Sequence, residues 1–388
     1  MACRIQKKNN SKDGIAANMG NQAQLPPLHN AHNENSKMNT NTDVLQRLIL
    51  NPRYTKKKLR LGDGRILSYS ECGNLESGMP VLFCFGLMTS SLAIMFAHHR
   101  ALRNNLRVIA IDYPGIGEST IQADRTLENW ADDVSEFLDQ LKLERVRLLG
   151  HSLGGLHVLA LLSNRSFKRR VIRTVLLCPW LYIEGESSFN PPWMQFTHTL
   201  PDVVQSSIIP FVLTALSSGS MKIATWSNPE LKQFQAAKLV MDYAYHQGQA
   251  GNEQMVRFAL SKYETFLPQK NGLDSPILIF HGKDDTLVSE SRSLELVRLL
   301  KERHCNVTYT AVEGSDHNTI LSKTENLIKV MASLVGDADT WAAEIAKSLG
   351  VDRSSSIPEK NVANDIDDQL RLLQAAIDDT QTHRFHEV

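Results

Sequence analysis

The chain has 388 residues, 42% of them hydrophobic and 22% charged, with 42 Lys and Arg against 42 Asp and Glu. That length admits one large domain with an insertion, or two domains, and the composition is that of an ordinary globular protein. Zero net charge leaves no global footprint for nucleic acid or an anionic membrane, and no run reaches the ~20 apolar residues that span a bilayer.

Five cysteines (Cys3, Cys72, Cys84, Cys178 and Cys305) are odd in number and widely spaced, without a CxxC pair. This pattern fits reduced thiols better than a disulfide framework. The first residues turn polar at once, which is unlike a secretory signal, so the expectation is a cytoplasmic chain.

Residues 1–43 are rich in Asn, Gln, Ser and Lys without apolar periodicity and read as a disordered tail. Order begins near Leu45. Thr55–Leu61 and Arg65–Cys72 read as strands around the turn Gly62-Asp63-Gly64. Pro80–Phe85, Leu106–Ile111, Arg145–Leu149, Val171–Cys178, Pro276–Phe280 and Val307–Val312 are further apolar strands. Helical patterns lie between most of them. Leu127, Trp130, Ala131, Val134, Phe137, Leu138 and Leu141 keep a 3.6-residue period. Such alternation indicates a mostly parallel sheet flanked by helices. It breaks once, at about 180–272, where helix-like segments Val203–Ser217, Pro229–Gln247 and Glu253–Phe266 suggest a helical lid inserted before the next strand. Thr324–Val335 reads as a closing helix, so the main domain spans 44–335. Residues 336–388 form a helical extension, partly disordered, and the narrow apolar face of Val362–Ile377 suits a homo-oligomer contact.

The sharpest local signal is Gly150-His151-Ser152-Leu153-Gly154, between a strand and a helical run. Strand, sharp turn and helix form the context of a nucleophile elbow, in which a strained turn projects the serine hydroxyl. A serine needs a base. Of thirteen histidines, His317 lies in a polar loop after the last strand, where a packing histidine is least expected. The acid should follow another strand end, where Asp284 and Asp285 compete. Asp285 is favoured because it stands three residues before the apolar anchor Val288. The backbone N–H groups of Leu153 and of Leu87, in the loop after Pro80–Phe85, are the candidate oxyanion donors. Phe85, Gly86, His151 and Trp180 are the candidates to touch substrate, with His151 also buttressing the elbow; His157 reads as packing and His281 as support.

Together these residues resemble the α/β-hydrolase superfamily, in its cap-bearing serine hydrolase and esterase branch, over Thr55 to Val335. Asp112-Tyr113-Pro114-Gly115-Ile116-Gly117-Glu118-Ser119 is similar to the family's D-x-P-G-x-G-x-S loop, whose role there is structural. Two departures matter. Epoxide hydrolases and haloalkane dehalogenases of this fold carry Asp where this chain has Ser152. Many relatives read His-Gly where it has Phe85-Gly86. The resemblance implies hydrolysis of a carboxylic ester or lactone through an acyl-enzyme; the apolar and aromatic residues of 180–272 suit a small, apolar substrate, and no sequence motif calls for a cofactor or metal. The resemblance leaves open C–C hydrolysis, acyl transfer or cyclisation on the same triad, and a non-catalytic small-molecule receptor.

Overall fold

The computed structural model describes residues 47–181, 240, 243–244, 249–260, 266–270 and 273–322. Their eight strands are β1 (Lys57–Arg60), β2 (Ile66–Gly73), β3 (Met79–Cys84), β4 (Leu106–Ile111), β5 (Val146–His151), β6 (Val171–Leu177), β7 (Ile277–Gly282) and β8 (Val307–Val312). They form one sheet in the order β1-β2-β4-β3-β5-β6-β7-β8. β1 and β2 run antiparallel, β2 meets β4 antiparallel, and every pairing from β4 through β8 is parallel. All eight expected strands are present, and the fold class is the one expected. In β3, β4 and β6, consecutive residues are buried rather than alternate ones, so both faces of the sheet are covered.

The α-helices of six residues or more are α1 (His98–Arg103), α2 (Leu127–Gln140), α3 (Gly154–Ser163), α4 (Gln249–Ala259) and α5 (Glu290–Glu302). Thr126 caps α2 by accepting from Asn129 N, and the buried stripe Leu127, Trp130, Ala131, Val134, Phe137, Leu138 is the periodic set of the sequence. Asp133 on this helix takes two bonds from Arg65, at 2.7 and 2.6 Å, which tie α2 to the β1–β2 hairpin. α3 is buried along nearly its whole length. α4 differs from the expected 253–266 helix: it starts earlier, because Gly251 docks on the loop after β4 through Gly251 N to Gly115 O (3.2 Å), and it ends at Ala259. α5 was not singled out in the sequence, where its apolar positions are thinned by charges.

The Asp112–Ser119 loop is structural, as expected. Asp112 is buried and accepts from Ser68 Oγ (2.7 Å), Ser91 N (2.7 Å) and Ser91 Oγ (3.0 Å). Burial lifts its carboxyl to about 6 against those bonds. The expected lid falls mostly outside the described residues, as do the tail at 1–43, the closing helix at 324–335 and the extension at 336–388. Among the described residues no helix is long and apolar enough to cross a membrane.

β4 and β5 flank β3 on opposite sides, so the strand order reverses there and a crevice opens at the carboxyl ends. Cys84 of β3 pairs with Gly150 of β5, so Gly86 and Ser152 each stand two residues beyond that pair. α3 starts hard against β3: a Cβ on Gly154 would lie 2.0 Å from Cys84 O. Backbone, not a flexible side chain, would have to yield. We expect Gly154→Ala to destabilise the fold by about 3 kcal/mol or more, measured by urea unfolding. A loss well under 1 kcal/mol would mean that α3 has slack against the sheet.

Candidate active site

Ser152 sits between β5 and α3 with φ +56°, a left-handed conformation that costs a non-glycine residue about 1–2 kcal/mol. Its N–H donates to Leu177 O (3.0 Å), and its carbonyl accepts from Gly155 N (2.9 Å) and Trp180 N (3.0 Å). The turn is thereby pinned to β6 and to the segment after it. Ser152 Oγ makes no hydrogen bond among the described residues, and its residue is only partly buried. In ligand-free sites the serine–base bond is often long and tightens only with substrate.

Gly86 faces the serine. A Cβ there would lie 2.9 Å from Ser152 Cβ and 3.4 Å from Oγ, so only glycine leaves the hydroxyl room. Phe85 is fully buried, its ring 4.5 Å from that of Tyr113 and its carbonyl accepting from Tyr113 Oη (3.0 Å). It holds the loop from the core side. Met88, at φ +59°, donates its N–H to Asn252 Oδ1 (3.0 Å) on α4. The Leu87 and Leu153 amides, the expected oxyanion donors, lack an acceptor among the described residues.

Asp285 and His317 meet across the ends of β7 and β8: His317 Nδ1 and Asp285 Oδ2 are 2.7 Å apart. The other carboxylate oxygen accepts from Leu287 N (2.8 Å) and Val288 N (2.9 Å). Burial would raise this acid, but the bond and charge of His317, the Val288 N–H and the Cys178 thiol outweigh it and hold the carboxyl below its ordinary range. Asp284 is exposed and, among the described residues, engages only through its backbone, N to Ser315 O at 2.9 Å. The His317 loop is set by Asp316, whose carboxylate accepts from Asn318 N (2.9 Å) and Thr319 N (2.8 Å).

His151 is buried, and its Nε2 lies 2.8 Å from His317 O. A carbonyl only accepts, so Nε2 carries a proton. It is therefore tied to the histidine loop, its ring 4.7 Å from that of His317. Burial, then repulsion from His317, pushes it down to about 3. The unfolded chain takes up this proton first, so stability present above about 6.5 falls as pH drops toward about 3. We expect His151→Gln, which keeps an N–H donor, to flatten that loss in urea unfolding at pH 7, 5 and 4. An unchanged slope would mean that His151 is not buried neutral.

Trp180 is committed on its polar edge and on its face: Nε1 donates to Ala259 O (2.9 Å), and the Arg292 guanidinium lies 4.4 Å from its ring. A support that the sequence did not signal lies behind the elbow. Arg125 Nη2 is 2.7 Å from His157 Nε2. Arginine only donates, so His157 Nε2 is the acceptor and Nδ1 carries the proton, which faces Leu153 O at 3.3 Å. Tyr113 stacks on that imidazole at 4.0 Å while holding Phe85 O. One stack thus braces both segments that carry the candidate oxyanion amides.

Cys178, His281 and Asp285 bring a sulfur, a nitrogen and an oxygen within 4.8 Å of one another. These donors are spoken for. His281 Nε2 faces Val288 O (3.0 Å) and Nδ1 faces Ser293 Oγ (2.7 Å), while Gly282 N donates to Cys178 Sγ (3.4 Å). The trio reads as the seat of the Asp285 carboxylate rather than a metal centre.

The profile of the family described as alpha/beta hydrolase fold matches residues 79–324. A 93-residue stretch is 38% identical to the dihydrolipoyllysine-residue acetyltransferase component of the acetoin cleaving system of Pseudomonas putida, spanning 24% of this chain and 25% of that protein. The non-heme haloperoxidase of Rhodococcus erythropolis is 29% identical over 255 residues, 63% of this chain and 88% of its own. Among solved structures, a thermophilic esterase from Thermogutta terrifontis superposes with TM-score 0.53 at 16% identity, covering 74% of this chain and 99% of that one. At that identity the likeness is one of fold.

Proposed function

The chain belongs to the α/β-hydrolase family, and on that premise we propose that it is a serine hydrolase cleaving a small, apolar carboxylic ester or lactone. The observation that carries this reading is the 2.7 Å Asp285–His317 contact on the same sheet edge that presents Ser152 at φ +56°. His317 Nδ1 donates to Asp285, which leaves Nε2 as the base. Ser152 Oγ attacks the substrate carbonyl and its proton passes to His317. The Leu153 and Leu87 amides hold the developing oxyanion. His317 then protonates the departing alkoxide, leaving an acyl-enzyme. Water, deprotonated by His317, cleaves the acyl bond and restores Ser152. Leu87 and Met88 pack with the buried Val256 beside the oxyanion loop, an apolar wall suited to an apolar substrate.

The test is incubation with a fluorophosphonate probe, mapping of the adduct by peptide mass, and turnover of p-nitrophenyl acetate and butyrate. An adduct on Ser152 with ester turnover is expected. A folded chain that neither labels nor turns over these esters would overturn the reading.

A further inference from the structure

The buried cation behind the elbow has no anion bonded to it among the described residues. Arg125 is 7% exposed, and the one hydrogen bond of its side chain among the described residues is to His157, which the bond itself keeps neutral. Its Nε and Nη1 have no hydrogen-bond partner among the described residues. Asp133, whose charge it feels, is occupied by two bonds from Arg65. The rings of Tyr113 (5.0 Å), Phe258 (5.1 Å) and Trp130 (5.9 Å) surround the guanidinium and offset part of its desolvation. Burial lowers Arg125 only to about 10, so it stays charged at neutral pH.

Arg125 forms part of the wall of a cleft of about 430 Å³ between the 121–125 loop and α4. That is within the range of small-ligand sites. Ile121, Ala123 and Phe258 supply apolar surface, and Arg257 faces the same space. Glu253 also lies in the wall, and both it and Arg257 make interactions of their own. Gln254, in the wall too, keeps a buried Oε1 without a donor while its Nε2 donates to Gln122 O (2.6 Å). Asn252 and Val256 of the same helix reach Met88, so α4 separates this cleft from the oxyanion loop.

We propose that this cleft is a second ligand site, which takes a small carboxylate with an apolar body, its charge compensated by Arg125. The site does not depend on the chemistry of Ser152, and its test reads binding alone.

The experiment is calorimetric titration of the full chain with benzoate, 3-hydroxybenzoate and the neutral isostere benzamide. One-to-one binding of the two acids is expected, with benzamide about tenfold weaker or worse, a difference near 1.4 kcal/mol. Arg125→Met should weaken benzoate by a similar factor. Because Arg125 is buried and that variant can lose its fold, Ala123→Trp is measured beside it. Ala123 is exposed at the cleft, and the indole would fill the space while the guanidinium stays in place. Benzoate that fails to saturate the wild type at millimolar concentration, or binds Ala123→Trp as well as wild type, overturns the proposal; the latter places the acid elsewhere, the Ser152 site included.

Discussion

Ser152→Ala loses fluorophosphonate labelling, and its kcat on p-nitrophenyl butyrate falls on the order of 10⁶-fold, as for an acyl-enzyme path stripped of its nucleophile. The loss reads as chemistry and not as unfolding. Ser152 Oγ has no hydrogen-bond partner among the described residues, and alanine carries the same left-handed penalty as serine at φ +56°. The variant's urea midpoint should therefore match that of the wild type. Ser152→Gly should be equally inactive yet more stable by about 1 kcal/mol, because glycine adopts that φ without strain. Activity and stability thus oppose each other at one residue, and the pair of variants separates them. Turnover of Ser152→Ala within an order of magnitude of wild type would remove this serine from the mechanism.

Asp285→Asn is the second large effect, a kcat reduced on the order of 10⁴-fold. The direction follows from which oxygen is already spoken for. Leu287 N and Val288 N both donate to Oδ1, so an asparagine keeps its carbonyl oxygen there. Its NH₂ then falls where Oδ2 was, facing His317 Nδ1. Nδ1 must accept, the proton moves to Nε2, and the nitrogen that should take the serine proton is blocked. Asp284→Asn, at an exposed side chain, should change kcat by less than about twofold. If Asp284→Asn were the damaging variant, the acid would be misassigned.

The sequence favours Asp285 over Asp284 through the distance to Val288, and it is Asp285 that contacts His317. The structure supplies the reason: a carboxylate three residues before Val288 can accept that residue's N–H and close a tight turn. The strands were legible because buried parallel strands are written as apolar runs between turn residues. Helix α5 was harder, because Arg292 is buried on its inner face and interrupts the apolar period. The Tyr113–His157–Arg125 stack was not legible at all. Tyr113 and Arg125 come from the two ends of the segment between β4 and α2, and His157 from α3, so no local spacing encodes the contact. Asn252 escaped for the same reason. His151 was read as a buttress and a substrate contact; the bond from its Nε2 to His317 O makes it a clasp between two loops.

The chain leaves the sheet after β6 at Leu177 and returns at Ile277, and α4 lies in that excursion. From there Asn252 holds the Met88 amide, and Ala259 O holds the Trp180 indole, whose backbone N–H braces Ser152 O. The inserted segment is therefore not an interchangeable cover over a finished catalyst. Divergence within it can alter turnover even where no substituted residue meets a substrate, and a chimera carrying a relative's insertion would inherit altered kinetics together with altered selectivity. Asn252 and Trp180 thus join the segment between β6 and β7 to the loop after β3 and to the Ser152 turn.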